Sequence, residues 1–459
     1  MQLKGEQLQF GRNRRVNFGR IALLLGLILA GILVLWMVET ARIDPPFVPG
    51  PTPTRSAVSY AQEGEAHFSS GNLPEAITAL QNAVRLTPED GELLAELSRI
   101  QAYASELQPS LQQRRDLLAQ ARQTIDQAVR VAPEDAFVHA VKALAYDWSA
   151  SAETGEAREA YLAEAETSAV RALQLAGNDP VLRSLAQAFY AEVLVDQQRF
   201  VEAADLAAQA AATAPDSMDV HRVYGTVLEA NGLYRQAIEE YERATEITPN
   251  LTFLYSRIGA NYRRLQDIDR ALEAFDQAVR INEQVAIDDP VPYIAIGRTY
   301  LQDGEFFIAA RNLERALAID EGNPEIYGFL GIIYYRARNY ESALEVLRCA
   351  VEGCSEEESR RMLCEFAVGC DPDDPQDAVA PLHGREVPGL ALGPNSLEYY
   401  YTYASVLAFY GQCAAAERVF DELLLQYATD PVVAGIVAEN RAICAATPVP
   451  VPTATPSDG

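Results

Sequence analysis

Small residues, a turn, an aromatic or leucine and a proline return along this chain at intervals of about 34 residues, a period that marks a repeat architecture. The clearest copy runs from Met218 to Leu251. Gly225 sits in a first stretch, Asn231-Gly232 makes the turn, and Ala237, Tyr241 and Ala244 share one stripe of a second stretch before Pro249. The same columns hold Gly64, Ala76, Leu80, Ala83 and Pro88 near the start, and Ala191, Ala203, Ala207, Ala210 and Pro215 further on. They return as Gly259, Ala271, Phe275 and Ala278, then Gly297, Ala309, Leu313 and Ala316, then Gly331, Ala343, Leu347 and Ala350. Two divergent copies keep Ala121, Ile125 and Ala128, or Ala165, Ala169 and Ala172, and their insertions of about ten residues predict lengthened helices. A ninth copy carries Ala404, Ala416 and Phe420, and 432–444 reads as a closing helix.

Glycine and alanine let two helix backbones approach, while tyrosine and leucine in neighbouring columns fill the gaps. Strand-like alternation is nearly absent, and Ala, Leu, Glu, Arg and Gln favour helix throughout, so the fold class is all-α. One helix pair cannot bury its apolar face alone, so the pairs must stack. The pattern resembles the tetratricopeptide repeat over nearly all of 57–444. The resemblance implies a right-handed α-solenoid of antiparallel helix pairs with a concave surface that binds protein or peptide partners. It fixes packing residues and leaves the ligand unnamed.

Ile21 to Val38 is an unbroken apolar run that as a helix spans about 27 Å, near the thickness of a bilayer core. Arg12, Arg14, Arg15 and Arg20 precede it, so the positive-inside rule leaves the N-terminus in the cytoplasm and the repeats outside. A cleaved signal peptide is the rival, but the residues after the run lack a small-residue cleavage site. The expected organisation is a cytoplasmic segment 1–20, a transmembrane anchor 21–38, a Pro-rich linker 39–56, a solenoid 57–445 of nine or so units with a loop insertion near 355–396, and a Pro/Thr tail 446–459. The net charge is -28, and the first 42 residues are basic on balance, so the remainder is more acidic still. Such a body disfavours nucleic-acid binding and stands off anionic lipid.

All six cysteines lie in the last quarter, and an even number outside the cytoplasm reads as disulfides. Cys413 opens the second helix of the last unit and Cys444 ends a helix that should return antiparallel to it, so their ends should meet. Cys349, Cys354, Cys364 and Cys370 can pair in three ways, with Cys349–Cys364 and Cys354–Cys370 preferred. Their spacing lacks the paired arrangement of zinc sites. Asp371, Asp373, Asp374 and Asp377 read as a solvated acidic turn rather than a calcium loop.

In the family resembled here, first-helix positions line the inner face. Those positions give Arg263, Arg264, Arg298 and Arg336, with Phe253, Ser256, Asn261, Phe329 and Tyr335 nearby. A basic patch in an acidic body suits an acidic segment or a chain terminus, although arginines that merely offset nearby carboxylates would look the same. His139 and His221 share a column with Tyr255, Tyr293 and Tyr327, so they read as packing residues, and no nucleophile, phosphate-loop or zinc-protease motif occurs. The sequence therefore predicts a membrane-tethered, non-enzymatic scaffold, without cofactor or metal, that gathers protein partners for envelope assembly, secretion or complex maturation. A redox-active protein using the cysteine-rich end and a self-association module are the alternatives.

Overall fold

The computed structural model describes residues 18–39, 55–108, 110–364 and 384–446. The predicted linker (within 40–54), the tail (447–459), Cys370, His383 and the acidic turn at 371–377 lie outside the described residues. The chain divides into two units, 1–55 and 56–459. In the first, α1 (Phe18–Glu39) is a helix of 22 residues whose described side chains are all exposed. The span predicted over 21–38 is not supported. Among the described residues no helix is long and apolar enough to cross a membrane.

The second unit is a run of antiparallel helix pairs. In order they are α2 (Ala57–Ser69) with α3 (Leu73–Leu86), α4 (Gly91–Ser105) with α5 (Leu111–Val131), α6 (Ala136–Ser151) with α7 (Gly155–Leu175), and α8 (Pro180–Asp196) with α9 (Phe200–Thr213). They continue as α10 (Met218–Ala230) with α11 (Tyr234–Ile247), α12 (Thr252–Arg264) with α13 (Ile268–Gln284), α14 (Val291–Asp303) with α15 (Phe306–Ile319), and α16 (Pro324–Arg336) with α17 (Tyr340–Glu352). The short α18 (Glu356–Met362) interrupts the series before α19 (Leu397–Phe409), α20 (Cys413–Tyr427) and the closing α21 (Pro431–Ala445). The two divergent units carry their extra residues in α5 and α7, which are 21 residues long each. Among the described residues there is no strand, only an isolated antiparallel bridge between Cys354 and Val387.

Local chemistry sets the ends of the helices. Side-chain oxygens of Asp90, Asp135, Asp179, Ser217 and Asp430 accept hydrogen bonds from first-turn amides of α4, α6, α8, α10 and α21. The repeat columns then decide the packing. Ala237, Tyr241 and Ala244 are fully buried, as are Ala271, Ala278 and Leu313. A Cβ placed on Gly225 would lie 2.8 Å from the Tyr241 ring, and one on Gly259 would lie 2.6 Å from Phe275. The small residue of each first helix is therefore the space into which the large residue of its partner fits.

One column does a second job. His139 and His221 place Nε2 2.9 and 2.7 Å from the carbonyl oxygens of Pro133 and Pro215, six residues earlier. Tyr255 donates to Pro249 O at 2.9 Å and Tyr327 to Glu321 O at 3.2 Å in the same way. Imidazole and phenol are interchangeable here because each is a flat apolar body with a polar tip that pins the turn between units.

The early units curl far enough to meet later ones. Asn250, just before α12, donates to Ser69 O at the end of α2 (2.9 Å). Gly71, at φ 84°, lies so close to the Asn250 carbonyl that no Cβ would fit. Glu106, capping α4, pairs with Arg257 of α12 at 2.9 Å. At the other end, a disulfide joins Cys413 to Cys444, 5.7 Å apart at Cα, and ties α20 to α21. Cys349 bonds to Cys354 across the sharp turn at Gly353 (Cα–Cα 4.9 Å), not to Cys364, and this also removes Cys354 from the expected pairing with Cys370. Helix α17 stops at Glu352 and the chain doubles back, which brings the nearer cysteine within reach first. Cys364 is itself disulfide-bonded.

Candidate functional site

Because the early units close on one another, their first helices enclose a polar and aromatic interior instead of an open groove. Tyr103 of α4 lies 5.4 Å from Trp148 of α6 and 5.5 Å from Phe253 of α12, measured between ring centroids. Arg222 of α10 makes two hydrogen bonds to Glu192 of α8, at 2.7 and 2.8 Å, and stacks over Trp148 at 5.1 Å. Trp148 Nε1 donates to the same carboxylate at 3.1 Å. Asp219 receives Arg99 at 2.8 Å and the Tyr103 hydroxyl. Burial opposes the charge on Arg222, yet Glu192 and the other acidic groups nearby hold it protonated beyond its usual range. Asp147, also buried, is pushed well above the usual carboxylate range by burial and by Asp196 and Glu192, and its Oδ1 has no hydrogen-bond partner.

Two residues expected at the partner-binding face belong to this interior. Phe253 is buried against Tyr103. Asn261 is fully buried, with its amide donating to Glu229 at 3.0 Å and to Arg257 O at 2.9 Å. Neither can reach a partner. Arg264 is displaced too, for its guanidinium turns toward Tyr234 (5.6 Å to the ring) and Glu229 (4.0 Å). The rule that first-helix positions line an open groove fails where the coil is tight enough to close.

From the last turn of α12 onward the inner face opens. Arg263, Arg298 and Arg336, from three successive first helices, line a single cleft of about 590 Å³ with Phe306, Phe329 and Glu398. Arg298 lies over the Phe329 ring at 4.4 Å. Among the described residues neither Arg263 nor Arg298 has a carboxylate within ion-pair distance, and Arg263 Nη1 is buried without a hydrogen-bond partner. Burial, then Arg298, then Arg264 lower the Arg263 pKa below its ordinary value. Two like charges side by side, neither in an ion pair among the described residues, form a candidate anion site, with Glu325 the carboxylate that feels Arg298. Arg336 pairs with Glu398 at 3.8 Å.

Tyr335 faces a second cleft that continues from the first. It holds about 270 Å³ between α16, α17, α19 and α21, walled by Tyr335, Tyr340, Tyr401, Phe409, Ile436 and Ile443. Ring centroids are 5.6 Å apart for Tyr335–Tyr340 and 4.8 Å for Tyr340–Phe409. Sequence reasoning missed this aromatic wall because it comes from two units separated by the insertion. The tyrosine cluster at 399–403 was its one visible signal. Among the described residues, no group of three or more His, Cys, Asp or Glu is placed to hold a metal ion.

With the geometry in view, comparison with known proteins gives a consistent result. Models described as "Tetratricopeptide repeat" match residues 190–252, 254–285 and 294–357. The chain is 32% identical over 103 residues to the human tetratricopeptide repeat protein 33, covering 22% of this chain and 38% of that one. It is 23% identical over 148 residues to anaphase-promoting complex subunit 3 of Schizosaccharomyces pombe (32% and 22%), and 25% identical over 116 residues to the bovine BBSome complex member BBS4 (25% and 21%). The matched segments thus span less than two fifths of the length of each of these relatives. A crystal structure of a thermophilic TPR protein in Thermus thermophilus is similar at TM-score 0.36 and 20% identity, covering 45% of this chain and 98% of that one. Repeat columns, nested glycines, stacked helix pairs and family matches agree: the chain carries tetratricopeptide repeats.

Proposed function

We propose that this protein is a non-enzymatic scaffold that captures an acidic segment of a protein partner in the cleft of Arg263, Arg298 and Arg336. The observation that carries the reading is the pair Arg263 and Arg298, which share a cleft with neither of them in an ion pair among the described residues, in a chain of net charge -28. Two neighbouring guanidiniums repel each other, and a bound carboxylate would relieve that. Two of the relatives are, by name, members of multi-protein complexes, which supports a role in holding an assembly together.

The finer reading tethers this scaffold to a membrane by the apolar run 21–38, with the N-terminus cytoplasmic and the repeats outside. It serves envelope assembly, secretion or complex maturation there. Exposed leucines and isoleucines along α1 support it. Alkaline extraction of membranes, with protease protection of the repeats, tests the tether; release into the soluble fraction would remove it.

The cleft is tested by crosslinked pull-down from intact cells with the full chain. Arg298→Glu should abolish capture of acidic partners, whereas Arg264→Glu, on a side chain turned away from the cleft, should leave it unchanged. Equal capture by wild type and Arg298→Glu overturns the reading.

A further inference from the structure

The basic cleft and the aromatic cleft share Ile332, Arg336 and Glu398, and the Arg336–Glu398 ion pair stands at the boundary between them. On one side are two arginines, Arg263 and Arg298, that form no ion pair among the described residues. On the other is an uncovered aromatic wall whose outermost ring, Phe409, is 59% exposed. Its floor is fixed, because Asn440 donates to Ser405 Oγ at 3.0 Å and to Ile436 O at 2.8 Å, and the Cys413–Cys444 bond holds α21 against α20. Both partners of the boundary pair are half exposed, at 59% and 48%, so the pair is worth little by itself and yields to a better-placed ligand.

We infer that the two clefts are one bipartite site for a single extended segment of a partner protein, with carboxylates seated at Arg263 and Arg298 and an aromatic or aliphatic side chain against Tyr340 and Phe409. Glu398 acts in it as an internal competitor that occupies Arg336 until a ligand carboxylate displaces it. This inference rests on the basic cleft binding an acidic segment and adds the second half of the motif. Charge complementarity sets the acidic end, and the continuity of the two clefts through Arg336 makes one segment, rather than two ligands, the fitting occupant. An extended chain suits the site because it can run along both clefts, whose linings meet at Ile332, Arg336 and Glu398.

The test is fluorescence anisotropy on the full chain in detergent with four synthetic peptides: a composite acidic-then-aromatic segment, its acidic half, its aromatic half, and the composite in reversed order. The composite should bind about tenfold or more tighter than the acidic half, since the second contact is made at high effective concentration. Phe409→Ala should bring the composite down to the level of the acidic half and leave the acidic half unchanged. Glu398→Gln should tighten the acidic half about threefold or more, by freeing Arg336. Circular dichroism checks that both variants fold, and a photoreactive group on the aromatic end should crosslink to α19 or α21. If the acidic half binds wild type but the composite and reversed peptides bind no better, or if Glu398→Gln changes nothing, the bipartite site is overturned while the basic cleft stands. If the acidic half does not bind wild type at all, the basic cleft itself falls.

Discussion

Arg99 and Asp219 stand 120 positions apart in the sequence and 2.8 Å apart in space. In an ideal stack each unit touches only its neighbours, so contact between the second and fifth units means that the array has turned back on itself. The interior this creates is a core of paired charges and aromatic rings, and only the units beyond it keep an open inner face.

Breaking one member of a buried pair should therefore destabilise the early units strongly. Arg222→Ala leaves Glu192 buried with the Trp148 hydrogen bond but without the two from Arg222, and should cost about 3–5 kcal/mol, read as a lower urea midpoint. A loss below about 1 kcal/mol would mean the interior is solvated.

Asp147 gives a pH dependence of definite sign. Burial and its acidic neighbours raise its folded pKa, so the folded state binds more protons than the unfolded state above the ordinary carboxylate range. Stability contributed by this group then falls as pH rises through that interval, the reverse of ordinary acid denaturation. Asp147→Asn should raise the melting temperature at about pH 7.5 and give little or no gain at about pH 4.5. A uniform shift at both pH values would show that the charge is not the cause.

Gly259 should tolerate no side chain. Gly259→Ala drives a methyl into Phe275 and should cost about 1–3 kcal/mol by chemical denaturation, while Gly259→Ala combined with Phe275→Leu should recover part of it. Additive losses would deny that the two positions share one space.

The last disulfide should act locally. Cys413→Ser with Cys444→Ser removes a crosslink that closes a loop of sequence separation 31, worth about 3–4 kcal/mol on loop entropy. Limited proteolysis should then release α21 while the early units stay intact; cleavage spread over the whole array would contradict this.

Much of this was legible in the sequence because packing between adjacent helices is a local matter. Gly225 with Tyr241, and Gly259 with Phe275, lie sixteen residues apart, and the same fit returns at Gly64–Leu80, Gly297–Leu313 and Gly331–Leu347. What was not legible depends on accumulated geometry. No residue near Phe253 announces that Tyr103 will close over it, so Phe253 and Asn261 were placed on a free face that does not exist at their positions. Arg263, in the last turn of α12, shares one cleft with Arg298 and Arg336 of the following first helices. The cysteine pairing at Cys349 turned on one sharp bend at Gly353, which helical spacing alone does not reveal.

Closure through Ser69 and Asn250 also fixes a count. Inserting or deleting one whole unit between α4 and α10 would rotate the two seams out of phase, so this half of the molecule cannot grow or shrink by duplication as an open array can. Past α13 no such constraint applies, and evolutionary change in unit number is free to concentrate around the basic cleft.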